Sequence, residues 1–274
     1  MPHFKTSDGL FLHYTDEGSG VPVLCLAGLT RTTADFDYVT PHLADTRLIK
    51  LDYRGRGKSD WDSNWQNYNL VTEARDVIEL LDHLGLEKAA VLGTSRGGLL
   101  AMGLAFGAKE RLAGVALNDI GPELNPEGLS FIMGYLGKRP KAATHKEAAR
   151  ALEANMTGFV DVPFSRWIEE AVKHFVEKED GLDITYDPKL RDAVEHQGAQ
   201  AAPDLWPFFD AMQGLPLASI RGENSDLLIP STLAEMQCRR PDMIAATVRG
   251  RGHIPFLDEP ESVTALRAWV GQLT

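Results

Sequence analysis

The stretch "KAAVLGTSRGGLLAMGLAFG", residues 88–107, constrains the fold more than any other. Its first part is a continuous apolar run, as expected of a strand buried on both faces. Its last part is apolar nearly all round, as expected of a buried helix. Between them lies Gly93-x-Ser95-x-Gly97-Gly98. A turn this sharp between strand and helix strains its central residue, and small neighbours at positions 93 and 97 relieve the crowding. Ser95 is therefore lifted to the carboxyl edge of a sheet, where open α/β folds bind ligands. A phosphate-cradling turn is the alternative, but Walker-type spacing is absent.

The same rhythm runs through the first half of the chain. "HFKTSDGLFLHYTDEG" reads as a hairpin turning at Asp8-Gly9, and "PVLCLAG" and "TRLIKLD" as strands. "DFDYVTPHLAD" reads as a helix broken or begun near Pro41. Leu70, Ala74, Val77, Ile78, Leu81 and Leu84 keep a helical period that Gly85 stops. From 121 to 206 no buried-strand run appears. Three helical patterns take its place, "HKEAARALEANMTGF", "FSRWIEEAVKHFVEKEDG" and "PKLRDAVEHQGAQ", with aromatics that include Phe131, Tyr135 and Trp206. Strand and helix alternate again in "LPLASIRGE", "DMIAATVRG" and "PESVTALRAWVGQL". The expected organisation is an α/β core from 1–120 and 207–274, with a parallel sheet covered on both faces and a helical cap inserted at 121–206.

A formal net charge of −11 over 274 residues repels nucleic acid and anionic membranes, and no local basic run offsets it. The N-terminus lacks a signal-like segment, and no 18-residue apolar run occurs, so the expected location is cytoplasmic. Cys25 and Cys238 lie far apart, and no disulfide is expected between them. The histidines show no metal-binding spacing, and neither metal nor organic cofactor is expected. In "DYRGRGKSD", Arg54, Arg56 and Lys58 alternate with glycines, but flanking Asp52 and Asp60 make the loop read as scaffold.

A serine nucleophile needs a base, an acid to orient it, and donors for the oxyanion. Of eight histidines, only His253 sits in a short glycine-led loop, "GRGHIPFLDEP", between a strand and the last helix. That loop ends on the same sheet edge as Ser95. Two acids compete to hold the imidazole: Asp226 in "IRGENSDLLIP" and Asp119 in "LNDIGPE", with Glu223 a weaker third. The backbone amides of Arg96 and of Leu29, beside Gly28, are the candidate oxyanion donors. The Arg96 side chain is expected to bridge to Asp119, with contact to an anionic substrate as the alternative.

In these residues the chain resembles the α/β-hydrolase superfamily, in the branch with a helical cap. The resemblance spans "LAGLTRT", "LDYRGRGKSD", "GTSRGG", "NDIGPE", "RGENSDLL" and "GRGHIPFLDEPE", in that order. Where many members have His-Gly before the oxyanion loop, this chain has Ala27-Gly28, which removes no backbone donor. The family's order of serine, acid and histidine implies Ser95, Asp226 and His253, without a cofactor. Dehalogenases and epoxide hydrolases of this fold carry an aspartate at the elbow, so Ser95 argues against them.

The implied activity is hydrolysis of a partly apolar carboxylic ester or lactone, with Phe131, Tyr135 and Trp206 as candidate substrate contacts. Cleavage of a carbon–carbon bond in a diketone acid and ligand reception without turnover are the alternatives. An apolar cap face would serve equally as pocket wall or as the interface of a homodimer.

Overall fold

The computed structural model describes residues 2–156, 158–199 and 203–273. Strands β1 (His3–Lys5) and β2 (Phe11–Gly18) form the expected hairpin, with Gly9 at positive φ in its turn. β3 (Val21–Leu26) and β4 (Thr46–Leu51) follow, joined by two short 3-10 turns, Thr33–Phe36 and Thr40–Leu43, where a helix was expected. Pro41 opens the second turn, and neither turn is long enough to propagate. Helix α1 (Leu70–His83) begins where the Asn69 side chain accepts the Thr72 amide at 2.9 Å, and turns Val77, Leu80 and Leu81 inward. Then come β5 (Ala89–Thr94), α2 (Arg96–Gly107) and β6 (Leu112–Asn118).

The chain next leaves the sheet. The segment 121–206 carries α3 (Pro126–Tyr135), α4 (His145–Asn155), α5 (Phe164–His174), a hairpin of β7 (Phe175–Lys178) and β8 (Gly181–Ile184), and α6 (Leu190–Gly198). The hairpin corrects the purely helical expectation. α5 ends at His174, and Phe175 is extended, with Glu179-Asp180 at the bend. Helix α7 (Trp206–Asp210) returns to the core, stacking Phe208 on Phe106 of α2 with ring centroids 4.6 Å apart. β9 (Leu217–Gly222), α8 (Pro230–Arg239), β10 (Ile244–Val248) and α9 (Pro260–Val270) complete the chain.

The main sheet has eight strands in the order β1-β2-β4-β3-β5-β6-β9-β10, parallel from β4 to β10. Its strands separate two cores. Leu24, Leu26 and Val91 face the layer of α1, α2 and α8, while Val23, Cys25, Ala90 and Leu92 face Leu266 and Trp269 of α9. That two-sided burial is why β3 and β5 read as near-continuous apolar runs rather than alternating ones. All the parallel strands end on one edge, and the site is built there. Among the described residues, no helix is long and apolar enough to cross a membrane.

Candidate active site

Ser95 lies between β5 and α2 with φ 49° and ψ −113°, a conformation that non-glycine residues rarely adopt. The glycines around it are sterically required. A Cβ on Gly97 would collide with the Leu26 carbonyl oxygen, and one on Gly93 with that of Gly97. Cβ atoms at these positions would push α2 off the sheet and move the hydroxyl.

His253, on the loop between β10 and α9, places Nε2 3.1 Å from Ser95 Oγ and Nδ1 2.7 Å from Asp119 Oδ2. A carboxylate oxygen can only accept, so Nδ1 carries the proton and Nε2 is left to accept from the serine hydroxyl. Asp119, directly after β6, is fully buried and itself at positive φ, 55°. Its Oδ1 accepts the Gly222 amide at 2.8 Å, and its Oδ2 also accepts the Ser225 hydroxyl at 2.5 Å. Both oxygens are thus held by β9 and the turn that follows it.

The carboxylate that reaches His253 is that of Asp119, not that of Asp226 as expected. Asp226, one residue past the serine that braces Asp119, is exposed and lines the cavity, and its carbonyl oxygen accepts from Asn125 Nδ2 at 2.7 Å. Glu223 instead accepts the Gly250 amide at 2.9 Å. The β9 loop therefore supplies the brace, and β6 supplies the carboxylate.

Arg96 corrects a second expectation. Its side chain does not reach Asp119; Nε donates to Glu73 Oε2 at 2.7 Å, while Arg56 Nη1 donates to Oε1 at 2.7 Å. Asp119 turns toward β9, on one side of β5, and Arg96 toward α1 and the loop after β4, on the other. Burial alone would raise the Glu73 carboxyl, but Arg56 and Arg96 more than offset it and hold it below its ordinary value. Arg54 is equally committed, to Asp62 at 2.6 Å and to Asp76 at 2.7 Å. The basic loop after β4 is scaffold.

The backbone amide of Arg96 opens α2, where helical geometry offers no intrahelical acceptor. Opposite it, an added Cβ on Gly28 would lie 3.8 Å from Ser95 Cβ, which brings the 28–29 backbone against the serine. Gly28, Leu29 and Ser95 all line the same cavity.

Above this edge, residues 121–206 complete a cavity of about 940 Å³ that contains Ser95 and His253. Phe131 and Tyr135 line it, each 44 % exposed, with their rings edge to face at 5.8 Å. Trp206 does not line it; its indole donates to Glu123 at 3.0 Å and packs edge-on against Phe209. The insertion is docked on the histidine loop. The Val160 amide donates to the Gly250 carbonyl at 2.9 Å, and Arg166 pairs with Asp258 at 2.5 Å.

Sequence reasoning missed Ser225 and Glu73, whose roles depend on strands and helices far apart in the chain. It also passed over Lys138-Arg139-Pro140-Lys141, a short basic run that lines the cavity. Spacing alone does not show that this loop faces Ser95. Among the described residues, no group of three His, Cys, Asp or Glu side chains is arranged to hold a metal.

An eight-stranded, mostly parallel sheet with a serine elbow on its carboxyl edge defines a class of hydrolases. The profile of the alpha/beta hydrolase family matches residues 23–266, and the chain belongs to that family. It is similar to the 3-hydroxybutyrate-oligomer hydrolase of Cupriavidus necator, with 34 % identity over 88 % of this chain and 85 % of that protein. It also resembles the 2-(acetamidomethylene)succinate hydrolase of Mesorhizobium japonicum, with 26 % identity over 94 % and 89 % of the two chains. Among solved structures, an alpha/beta hydrolase from Novosphingobium aromaticivorans superposes with a TM-score of 0.92 at 40 % identity, over 99 % of this chain and 98 % of that one. With these relatives, the chain is a hydrolase.

Proposed function

We propose that the protein hydrolyses carboxylic esters through Ser95, His253 and Asp119, by way of an acyl-enzyme. The observation that carries this reading is the unbroken relay from Ser95 Oγ to His253 at 3.1 Å and from His253 to Asp119 at 2.7 Å, opening into one large cavity. His253 Nε2 takes the hydroxyl proton as Ser95 Oγ attacks the ester carbonyl carbon. The oxyanion forms against the amides of Leu29 and Arg96, each worth about 3 kcal/mol of barrier. Collapse of the tetrahedral species expels the alkoxide, which His253 protonates to the alcohol. Water then attacks the acyl-serine as His253 takes its proton, and collapse releases the carboxylic acid while His253 returns that proton to Ser95 Oγ.

The likeness to the 3-hydroxybutyrate-oligomer hydrolase supports a substrate class. Oligomers of 3-hydroxybutyrate are esters between hydroxy-acid units, and about 940 Å³ is near the upper end for a ligand cavity. Such esters, and the related lactones, are the substrates we assign. A contact from Arg96 to the carboxylate of a diketone acid, the alternative substrate, is disfavoured, because that guanidinium is held by Glu73 with its side chain 8 % exposed.

The test is hydrolysis of p-nitrophenyl butyrate, butyrolactone and 3-hydroxybutyrate trimer by the wild type and by Ser95→Ala. Turnover of the trimer, abolished in the variant, is the expected result. Equal rates in both proteins would end the nucleophile assignment.

A further inference from the structure

The charge around the cavity is lopsided. On a chain of net charge −11, its described lining carries Arg31, Lys138, Arg139 and Lys141 against a single acid, Asp226. Two of these cations are already neutralised. Arg31 Nη1 lies 3.2 Å from Glu170 and 3.5 Å from Asp35. Arg139 makes a two-pronged contact with Asp180, at 2.8 Å on each arm, and its Nε lies 3.4 Å from Asp183. The lysines differ. Lys138 Nζ donates to the Gly134 carbonyl at 2.7 Å, and among the described residues neither Lys138 nor Lys141 meets an acid.

The loop that presents them is fixed. Leu136 is fully buried, the Gly137 amide donates to Tyr186 Oη at 3.0 Å, and Arg191 Nη1 donates to the carbonyls of Met133 and Leu136. Pro140, between the lysines, restricts the backbone further. Two uncompensated ammonium groups therefore stand on a braced loop at the cavity that holds Ser95. Other walls of that cavity are apolar: Phe131, Ile132, Leu152 and Ile184.

We infer that Lys138 and Lys141 form an anion subsite that receives the free carboxylate of the ester substrate. The inference rests on the ester-hydrolase reading and narrows its substrate class to esters with a terminal carboxylate. Their alkyl-ester body would lie along the apolar walls while a carbonyl reaches Ser95. A flexible ammonium with three donors suits a solvated chain end, which approaches from many directions, better than a rigid guanidinium fork does. Arg31 and Arg139, already paired, hold the walls.

The test compares 3-hydroxybutyrate trimer with its methyl ester, which differs by one charge, in the wild type and in Lys138→Gln/Lys141→Gln. Both lysines are exposed, so the substitutions leave the cores intact. In the double variant, kcat/KM for the acid should fall about five- to thirty-fold, through KM, as expected for the loss of two partly solvated charge contacts. Turnover of the methyl ester should not change. Equal loss on both substrates, or no loss on the acid, would overturn the subsite.

Calorimetric titration of the trimer acid into Ser95→Ala, with and without the lysine substitutions, reads the subsite without turnover. Weaker binding in the triple variant supports it, and equal binding refutes it. Failure of the wild type to cleave any ester would remove the catalytic reading alone.

Discussion

At the scale of single residues, Asp119 and Asp226 show what a hydrogen-bond inventory adds to a motif. Both sit just past the ends of neighbouring parallel strands, and Asn118 of β6 is paired in register with Ile220 of β9. Order along the chain does not separate them. Asp119 accepts three hydrogen bonds, from the Gly222 amide, the Ser225 hydroxyl and His253, whereas the Asp226 side chain is exposed in the cavity wall. Asp119→Asn should lower kcat for p-nitrophenyl butyrate about 10⁴-fold, since an amide permits the wrong imidazole tautomer. Asp226→Asn should retain at least about a hundred times the Asp119→Asn rate. The reverse ranking in steady-state kinetics would restore Asp226 as the acid. Cys25 allows a separate check. Burial in β3 pushes its thiol up to about 12, while Cys238 is exposed. A thiol reagent at mildly alkaline pH should therefore label one cysteine in the native protein and two after unfolding, as counted by mass spectrometry.

At the scale of elements, α1 and α2 are joined by charge as well as by packing. Glu73 on α1 is fully buried and holds both Arg56 and Arg96, so removing it strands two guanidinium groups. Glu73→Ala should cost about 3–5 kcal/mol in urea unfolding. Because the Glu73 carboxyl is held below its ordinary 4.5, its contribution is present above that pH and is lost as pH falls through the lowered value. The stability gap between wild type and Glu73→Gln should therefore narrow in acid, and a gap constant down to the acid transition would contradict the linkage.

The elements themselves were legible where one physical cause dominates. Burial on both faces marked β3 and β5, and the helical period marked α1. The β7–β8 hairpin was not legible, because Phe175 and Val176 extend the apolar pattern of α5 and a two-stranded ribbon outside the main sheet has no two-sided burial to announce it. The serine and histidine could be placed because each follows a strand with a short glycine-containing turn. Which carboxylate meets His253 was not legible, because that depends on which neighbouring loop donates hydrogen bonds to it.

At the scale of the whole molecule, the net charge of −11 and the lysine pair act on an anionic substrate with opposite sign and different reach. The Debye length is about 30 Å at 0.01 M salt, about 8 Å at 0.15 M and about 3 Å at 1 M. At the lowest salt, an approaching carboxylate feels the charge of the entire surface, and encounter is opposed. Salt near the physiological range screens that long-range repulsion first, while the short contact to Lys138 and Lys141 survives. At the highest salt the contact weakens too. For 3-hydroxybutyrate trimer, kcat/KM should therefore rise and then fall as salt increases, whereas the methyl ester should trace a nearly flat line. In Lys138→Gln/Lys141→Gln the rising limb should remain and the falling limb disappear, because the surface charge is still there and the local attraction is not. A fall that begins at the lowest salt in the wild type would mean that the cavity field outweighs the surface charge at every distance.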